Sequence, residues 1–322
     1  MYCVYKNISF ADNILVYLRK PLDFLGTYKV MFTVSNWYDV LLFRFGLKRH
    51  VVLRPRNGKN SIINSKAEFV NFFNENPLIA SSAYRKLNIR SDPRGVAFTF
   101  RGRRLRFTAS SKLQRGNILR LIRENFYEEQ YGMLDVRGKV VIDVGANIGD
   151  TAIYFALNGA KHVYAFEPFP YSYKLLLKNI RSNGLGSKVT PINEGCGGVS
   201  SYISVSEDYE SHGSSALRSS RKGKKVKVSR LSEIVERFGL DGAALKLDCE
   251  GCEYGIILDS DDATLNAFTE MAIEAHHGYL NIVRRLKGCG FDVKKSVPKL
   301  PINIRYGNEN MILNVLHCKR IE

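Results

Sequence analysis

The sequence predicts an α/β protein: a Rossmann-like, mostly parallel seven-stranded sheet with an antiparallel hairpin at its edge, preceded by a small basic α+β domain. Three observations predict it. From Gly138 onward, short apolar segments alternate with helical ones, the pattern of a parallel sheet covered on both faces. The first of those segments, Val140 to Val144, runs into a glycine turn that opens a helix. Positive charge is concentrated ahead of it, with 24 Lys and Arg against 10 Asp and Glu in residues 1–138 and 24 against 21 in the rest. At 322 residues, 45% hydrophobic and 25% charged, the chain is long enough to bury a sizeable core and is not a disordered polymer. The predicted boundary divides a basic accessory domain, 1–112, from a larger domain, 113–322.

The first predicted element is a helix over Ser35 to Leu47. Ser35 caps it, Trp37, Leu41 and Phe45 form one stripe that packs on the core, and Gly46 ends it. Val51 to Arg56 and Ser61 to Ile63 flank Asn57-Gly58, a pair suited to a hairpin turn. Lys66 to Asn74 has helical spacing. A second hairpin joins Val96 to Phe100 with Leu105 to Thr108 and carries the densest basic cluster, Arg101, Arg103, Arg104 and Arg106. Such a region attracts polyanions, whether nucleic acid, a phosphorylated glycan or an anionic membrane surface, and it also keeps a protein soluble.

In the larger domain, strands are predicted at Val140 to Val144, Val163 to Phe166, Val189 to Asn193, Ala243 to Asp248 and Met271 to Ala275, with Phe291 to Val293 and Met311 to His317 paired as the edge hairpin. The Ser-rich stretch Ser204 to Ser220 reads as a long loop. Six cysteines, Cys3, Cys196, Cys249, Cys252, Cys289 and Cys318, are too sparse for a disulfide framework and point to reduced thiols in the cytoplasm. Cys249 and Cys252 form a lone C-x-x-C with no second pair at zinc spacing, so no metal site is expected there; a divalent ion held by Asp248 and Glu274 is conceivable, but no spacing in the sequence supports it. No segment has the apolar length of a signal core or a membrane span, which leaves at most peripheral membrane contact through the basic region.

Three segments carry chemistry. In Asp143-Val-Gly145-Ala146-Asn147-Ile-Gly149, glycines let the backbone approach a ligand and the following helix offers free N–H groups. The spacing is not the G-x-G-x-x-G of a dinucleotide site, and Asp143 would repel a pyrophosphate, so the pocket suits a nucleoside without a charged linker; Asp143 itself would order the loop and meet a cationic ligand end. Glu167 ends the next strand, 18 residues after Gly149, where a carboxylate accepts both ribose hydroxyls. In Lys246-Leu-Asp248-Cys-Glu250-Gly-Cys-Glu253, four ionisable groups stand at the carboxyl end of a buried strand, where open α/β sheets bind ligands. Lys246 and Asp248 share a strand face, so an ion pair between them competes with a ligand-binding role for each.

These segments, with Ala165-Phe-Glu-Pro168, His212-Gly-Ser-Ser-Ala-Leu217 and Ile273-Glu-Ala-His276, together resemble the FkbM family of methyltransferases over about residues 120–322. The resemblance implies a class I fold that uses S-adenosyl-L-methionine to methylate hydroxyl oxygens, most often on sugars, glycans or polyketide-type metabolites. It implies cofactor contacts from Asp143, Gly145, Ala146, Asn147, Gly149 and Glu167, with Asn193, Glu194 and Gly195 near the adenine. Asp248, Glu250 and His276 would be the catalytic groups, and Lys246, Glu253 and Glu274 would line the acceptor side. A neutral His276 or a carboxylate such as Asp248 would take the acceptor's proton. Two other classes compete: a nucleic-acid methyltransferase clamping its substrate with the basic domain, and a binding module without activity. Against the last stands the joint presence of Asp143, Glu167, Asp248 and Glu250.

Overall fold

The structure is a computed structural model that describes residues 7–9, 12, 34–44, 46–55, 60–65, 86–205, 223–296, 305–306, 309–310 and 313–321. The predicted helix over Lys66 to Asn74, the Asn57-Gly58 turn, the segment 212–217 and nearly all of the Ser204 to Ser220 loop lie outside the described residues. Two compact units form, one of Tyr17–Glu129 and one that joins Met1–Val16 to Gln130–Glu322. No helix among the described residues is long and apolar enough to cross a membrane.

The first unit contains α1 (Trp37–Arg44), the antiparallel pair β1 (Val51–Leu53) and β2 (Ser61–Ile63), and a second antiparallel sheet of β3 (Arg90–Asp92), β4 (Gly95–Phe100) and β5 (Arg103–Thr108), followed by α2 (Lys112–Ile122). Helix α1 buries Val40 and Phe43 against Val51, Leu53 and Ile63, whereas Trp37 and Tyr38 face solvent. The buried stripe is therefore offset from the one expected through Trp37 and Leu41, because the β1–β2 hairpin packs on the other side of the helix. The basic hairpin closes through a two-residue turn, Arg101-Gly102, with both residues left-handed at φ 48° and 77°, the geometry that matches strand twist. Period-two alternation buries Val96, Phe98, Phe100, Leu105 and Phe107 on one face, where Phe126 stacks edge-on to Phe98 at 4.8 Å and Phe100 at 5.2 Å. Arg90, Arg104 and Arg106 occupy the opposite face.

The second unit is built on the seven-stranded sheet. In chain order its elements are β6 (Val140–Val144), α3 (Asp150–Leu157), β7 (His162–Phe166), α4 (Pro170–Ser182) and β8 (Val189–Ile192). Next come β9 (Gly195–Gly197), β10 (Ser201–Val205), β11 (Lys224–Arg230), α5 (Leu231–Phe238), β12 (Ala243–Leu247), α6 (Glu253–Asp259) and α7 (Asp262–Asn266). The chain finishes with β13 (Phe268–Ala275), α8 (Leu280–Gly288), β14 (Phe291–Lys295), a short pair β15 (Arg305–Tyr306) and β16 (Glu309–Asn310), and β17 (Asn314–Arg320). The main sheet runs β14-β17-β13-β12-β6-β7-β8, with β17 alone antiparallel to its neighbours. The hairpin thus ends the sheet as expected, with its second strand inserted between β13 and β14. Strand β8 tolerates Pro191 because it is the opposite edge. A feature not anticipated from sequence is the separate small sheet β10-β11-β9.

Central strands β13, β12, β6 and β7 lie side by side and parallel, so their carboxyl ends meet at one rim. Two backbone turns there come unusually close. Gly145 sits at φ +76°, and a Cβ on it would stand 1.9 Å from the carbonyl oxygen of Asp248. Gly145→Ala therefore faces both left-handed strain and a collision with backbone that cannot rotate away. Gly239, also left-handed at φ +54° but with open space around it, isolates the conformational part alone. We expect Gly239→Ala to cost about 1 kcal/mol and Gly145→Ala at least about 2 kcal/mol more, read from urea midpoints of the two variants.

Candidate active site

The rim begins with the turn after β6. The N–H groups of Gly145 and Ala146 both donate to the Phe166 carbonyl at 3.0 Å, which folds the turn back over β7. Asn147 takes a left-handed conformation at φ 48°, and its N–H donates to Oε2 of Glu167 at 2.8 Å. Gly149, at φ 90°, starts α3, where its missing side chain makes room for Leu176 of α4. Asn179 of α4 also donates to the Ile148 carbonyl at 2.9 Å. The turn is thus held from three sides before any ligand enters.

Glu167 stands where the strand reading put it, at the end of β7. Its second oxygen, Oε1, accepts the N–H of Phe169 at 2.9 Å. Burial pushes its carboxyl up to about 8 despite these two donors. Each oxygen still has a lone pair free for one further donor.

Asp143 behaves differently from the ligand contact expected of it. It is fully buried behind the turn, with Oδ2 accepting the Thr151 hydroxyl at 2.7 Å and Oδ1 lying 3.1 Å from Nζ of Lys246. The carboxylate orders the turn and turns away from the rim. Lys246, 1% exposed, also donates to the carbonyls of Gly145 at 2.9 Å and Val144 at 3.2 Å, and its ammonium is 3.9 Å from Asp248. Burial alone would discharge this lysine, but the carboxylates of Asp143, Asp248 and Asp150 more than offset that and hold it protonated. The Lys246–Asp248 pair, the alternative to a ligand role for both residues, forms at 3.9 Å, with Asp143 the closer partner at 3.1 Å. Lys246 therefore belongs to the scaffold and is not an exposed acceptor contact. Next to it, burial raises the Asp150 carboxyl to about 7.

Past β12, the chain turns sharply through Glu250, left-handed at φ 59°, and Gly251. Glu253 anchors this turn from inside: fully buried, it accepts the N–H of Cys249 at 3.0 Å and of Gly251 at 2.8 Å, and its Oε1 meets Nδ1 of His276 at 2.8 Å. It is a positioning group and does not line an acceptor surface. Cys249 and Cys252 are joined as a disulfide, which corrects the expectation of reduced thiols for this pair; the turn into α6 brings their Cα atoms to 5.5 Å, within disulfide reach. Cys196, Cys289 and Cys318 are free and buried.

The register of β12 against β13, Leu247 opposite Ile273, puts Asp248 beside Glu274, with His276 two residues on along the same face. The ring of His276 points its Nε2 toward Asp248 Oδ1 at 3.7 Å and Glu250 Oε2 at 3.6 Å. Burial would lower its pKa, but the hydrogen bond to Glu253 and the charges of Glu253, Asp248 and Glu274 raise it to about 10. These carboxylates favour the protonated imidazole, against the neutral base considered from sequence. Asp248, pulled up by burial and down further by Lys246 and His276, stays ionised.

Tyr131 completes the cluster and was not identified from the sequence. Buried, it donates its hydroxyl to Asp248 Oδ2 at 3.0 Å and lies 3.4 Å from Glu274 Oε2, while Gln130 donates to the same Glu274 oxygen at 3.4 Å. Burial and both carboxylates keep that phenol protonated. Neither residue lies in a periodic segment, so nothing short of the fold could join them to residues more than a hundred positions away. Near the third strand, Asn193 donates to the carbonyls of Glu167 and Pro168 at 2.9 and 3.1 Å, and Gly195 packs on Val228. Glu194 is committed to Arg237 at 3.0 Å and to the Ser229 hydroxyl at 2.7 Å.

The raised carboxyl of Glu167 has a consequence for stability. The fold prefers its neutral form, so its contribution is full below the ordinary carboxylate range near 4.5 and is lost as pH rises toward about 8. Glu167→Gln should flatten the decline in unfolding free energy between about pH 5 and 8 relative to wild type, measured by urea titration across that range.

Among proteins of known sequence, a ribosomal protein L11 methyltransferase from Carboxydothermus hydrogenoformans is 46% identical over 55 residues, 17% of this chain and 18% of the relative. The chain thus matches less than a fifth of that relative's length. Among solved structures, M. capricolum TrmK with S-adenosyl-homocysteine is 13% identical at a TM-score of 0.41, covering 61% of this chain and 68% of that one. M. jannaschii TYW2 in complex with AdoMet is 16% identical at a TM-score of 0.36, covering 72% and 89%. Scores this low carry no functional argument. The segment that holds the glycine turn, Glu167 and the carboxylate cluster, residues 143–293, matches the family described as the methyltransferase FkbM domain.

Proposed function

We infer that the protein transfers a methyl group from S-adenosyl-L-methionine to a hydroxyl oxygen of a sugar, glycan or related metabolite. The observation that carries this reading is the bridge from Glu167 Oε2 to the Asn147 N–H, which brings the acidic end of β7 against the glycine turn of β6. That juxtaposition supplies a nucleoside with a turn of small residues at Gly145 and Ala146 and a carboxyl group for its ribose hydroxyls. Asn193 and Gly195, at the end of β8, are the groups nearest an adenine in this reading. Asp143 contributes from behind by fixing Lys246 and the turn, and Gly149 by starting α3.

The acceptor side is the carboxylate-rich rim of Asp248, Glu250 and Glu274. A sulfonium cation is favoured beside such a rim, and a phosphate-bearing acceptor is not. In the reaction, the acceptor oxygen attacks the methyl carbon in line with the departing sulfur. The O–C bond forms, the S–C bond breaks with its electrons left on sulfur as a neutral thioether, and the acceptor's proton passes to Asp248 or Glu250. His276, held in place by Glu253, faces those two carboxylates.

A second reading, methylation of nucleic acid, is favoured by the face of the first unit that presents Arg90, Arg104 and Arg106. The basic region 1–112 would then be a clamp, whereas in the first reading it is an accessory domain that recognises the acceptor or an anionic surface. Steeply salt-dependent RNA binding together with methyl transfer to RNA would select the second reading.

The first test is calorimetric titration with S-adenosylhomocysteine. Wild type should bind in the micromolar range and Glu167→Ala at least about ten-fold more weakly, the loss of two ribose hydrogen bonds. A folded wild type that does not bind overturns the reading. Asp248→Asn and Glu250→Gln should retain that affinity, and at least one should lose methyl transfer by about a hundred-fold or more.

A further inference from the structure

We propose that Asp248, Glu274 and His276 form a binding site for one divalent cation of the magnesium or manganese type, at the acceptor end of the cofactor pocket. The inference rests on the methyltransferase reading for its role, and on geometry alone for its existence. Among the described residues, these three form the one group of His, Cys, Asp and Glu side chains whose ligand atoms all lie within 4.8 Å of one another. Ligands held at about 2.1–2.4 Å from a single ion stand no more than about 4.2–4.8 Å apart, so one ion fits with small side-chain rotations.

Second, the buried imidazole is aimed into the group without being satisfied there. His276 is 3% exposed, and its Nδ1 is taken by Glu253 at 2.8 Å. Its Nε2 faces the cluster, where the nearest oxygens, of Glu250 and Asp248, lie at 3.6 and 3.7 Å, beyond hydrogen-bond distance. A carboxylate on one nitrogen of a ring whose other nitrogen faces two further carboxylates is the arrangement that orients a histidine ligand, and an ion bound there displaces the Nε2 proton to solvent. Glu253 is held for this task by two backbone N–H groups, of Cys249 and Gly251.

Charge points the same way. Asp248, Glu250 and Glu274 converge on one rim, and the neighbouring Lys246, 3.9 Å from Asp248, is already bound to Asp143 and two carbonyls. Bringing two carboxylates together costs free energy unless a proton or a cation is shared between them. Two carboxylates and one imidazole are hard, borderline ligands suited to manganese and magnesium, ions that keep further positions for water or an acceptor hydroxyl. An ion here would orient that hydroxyl and lower its pKa. With Asp248 and Glu274 committed as ligands, Glu250 is the carboxylate left to receive the proton.

The test uses manganese alone, titrated into the full chain and followed by loss of the free-ion paramagnetic resonance signal, with S-adenosylhomocysteine binding measured separately. Wild type should take up one ion per chain, displaceable by magnesium, and Glu274→Gln and His276→Gln should each bind at least about ten-fold more weakly. Glu250→Gln should keep the ion. The proposal is overturned if wild type takes up no manganese at about 1 mM, or if Glu274→Gln and His276→Gln both bind it as wild type does. Failure to bind S-adenosylhomocysteine would count against the methyltransferase reading and leave the ion-binding result to be judged by itself.

Discussion

A single buried ammonium holds the rim of this fold together. Lys246 lies in the middle of a sheet strand, almost wholly removed from water, where an uncompensated charge would cost several kcal/mol. It is compensated by three different pieces of chain: Asp143 across the β6–β12 register, the carbonyls of Val144 and Gly145 in the turn, and Asp248 at its own strand end. Satisfying this charge therefore requires the glycine turn and the β12 turn to sit in one relative position. The 1.9 Å that would separate a Cβ on Gly145 from the Asp248 carbonyl measures how closely they are drawn together.

From that constraint the two halves of the site follow. On one side, the turn folds over β7 and presents the Asn147 N–H to Glu167, whose carboxylate is buried and held by backbone donors. On the other, Asp248 emerges beside Glu274 because β12 and β13 are in register, and Tyr131 bridges the two carboxylates. Glu253 and His276 form an inner layer behind them. The side chains nearest the reaction in our reading are thus positioned by residues that are themselves almost fully buried, and such burial stiffens the geometry.

Several site residues changed character once the fold was known. Asp143, Lys246 and Glu253 all lie in motifs that suggest ligand contact, yet each is turned inward and spent on structure. Their charge made them conspicuous in the sequence, but charge gives no indication of which way a side chain faces at the end of a strand. Glu194 likewise looked available near the third strand and is taken by Arg237 from α5. The Cys249–Cys252 pair was legible as a C-x-x-C, whereas its bonding depended on the turn that brings the two sulfurs together.

Local pattern alone determined the main sheet, its strand positions to within a few residues, the glycine turn and the acidic strand end at Glu167, because hydrophobic period, glycine spacing and strand termini are properties of neighbouring residues. It also pointed to the segments that form the candidate site, since those residues cluster at strand ends. Only the tertiary structure decided that β17 inserts between β13 and β14, that Tyr131 and Gln130 join Asp248 and Glu274, and that His276 is aimed by Glu253. The physical reason is the same in each case. Strand order, side-chain direction and the field at a buried group are set by contacts between residues far apart in the chain, and a one-dimensional pattern holds no information about which distant residue will come to stand at 3 Å.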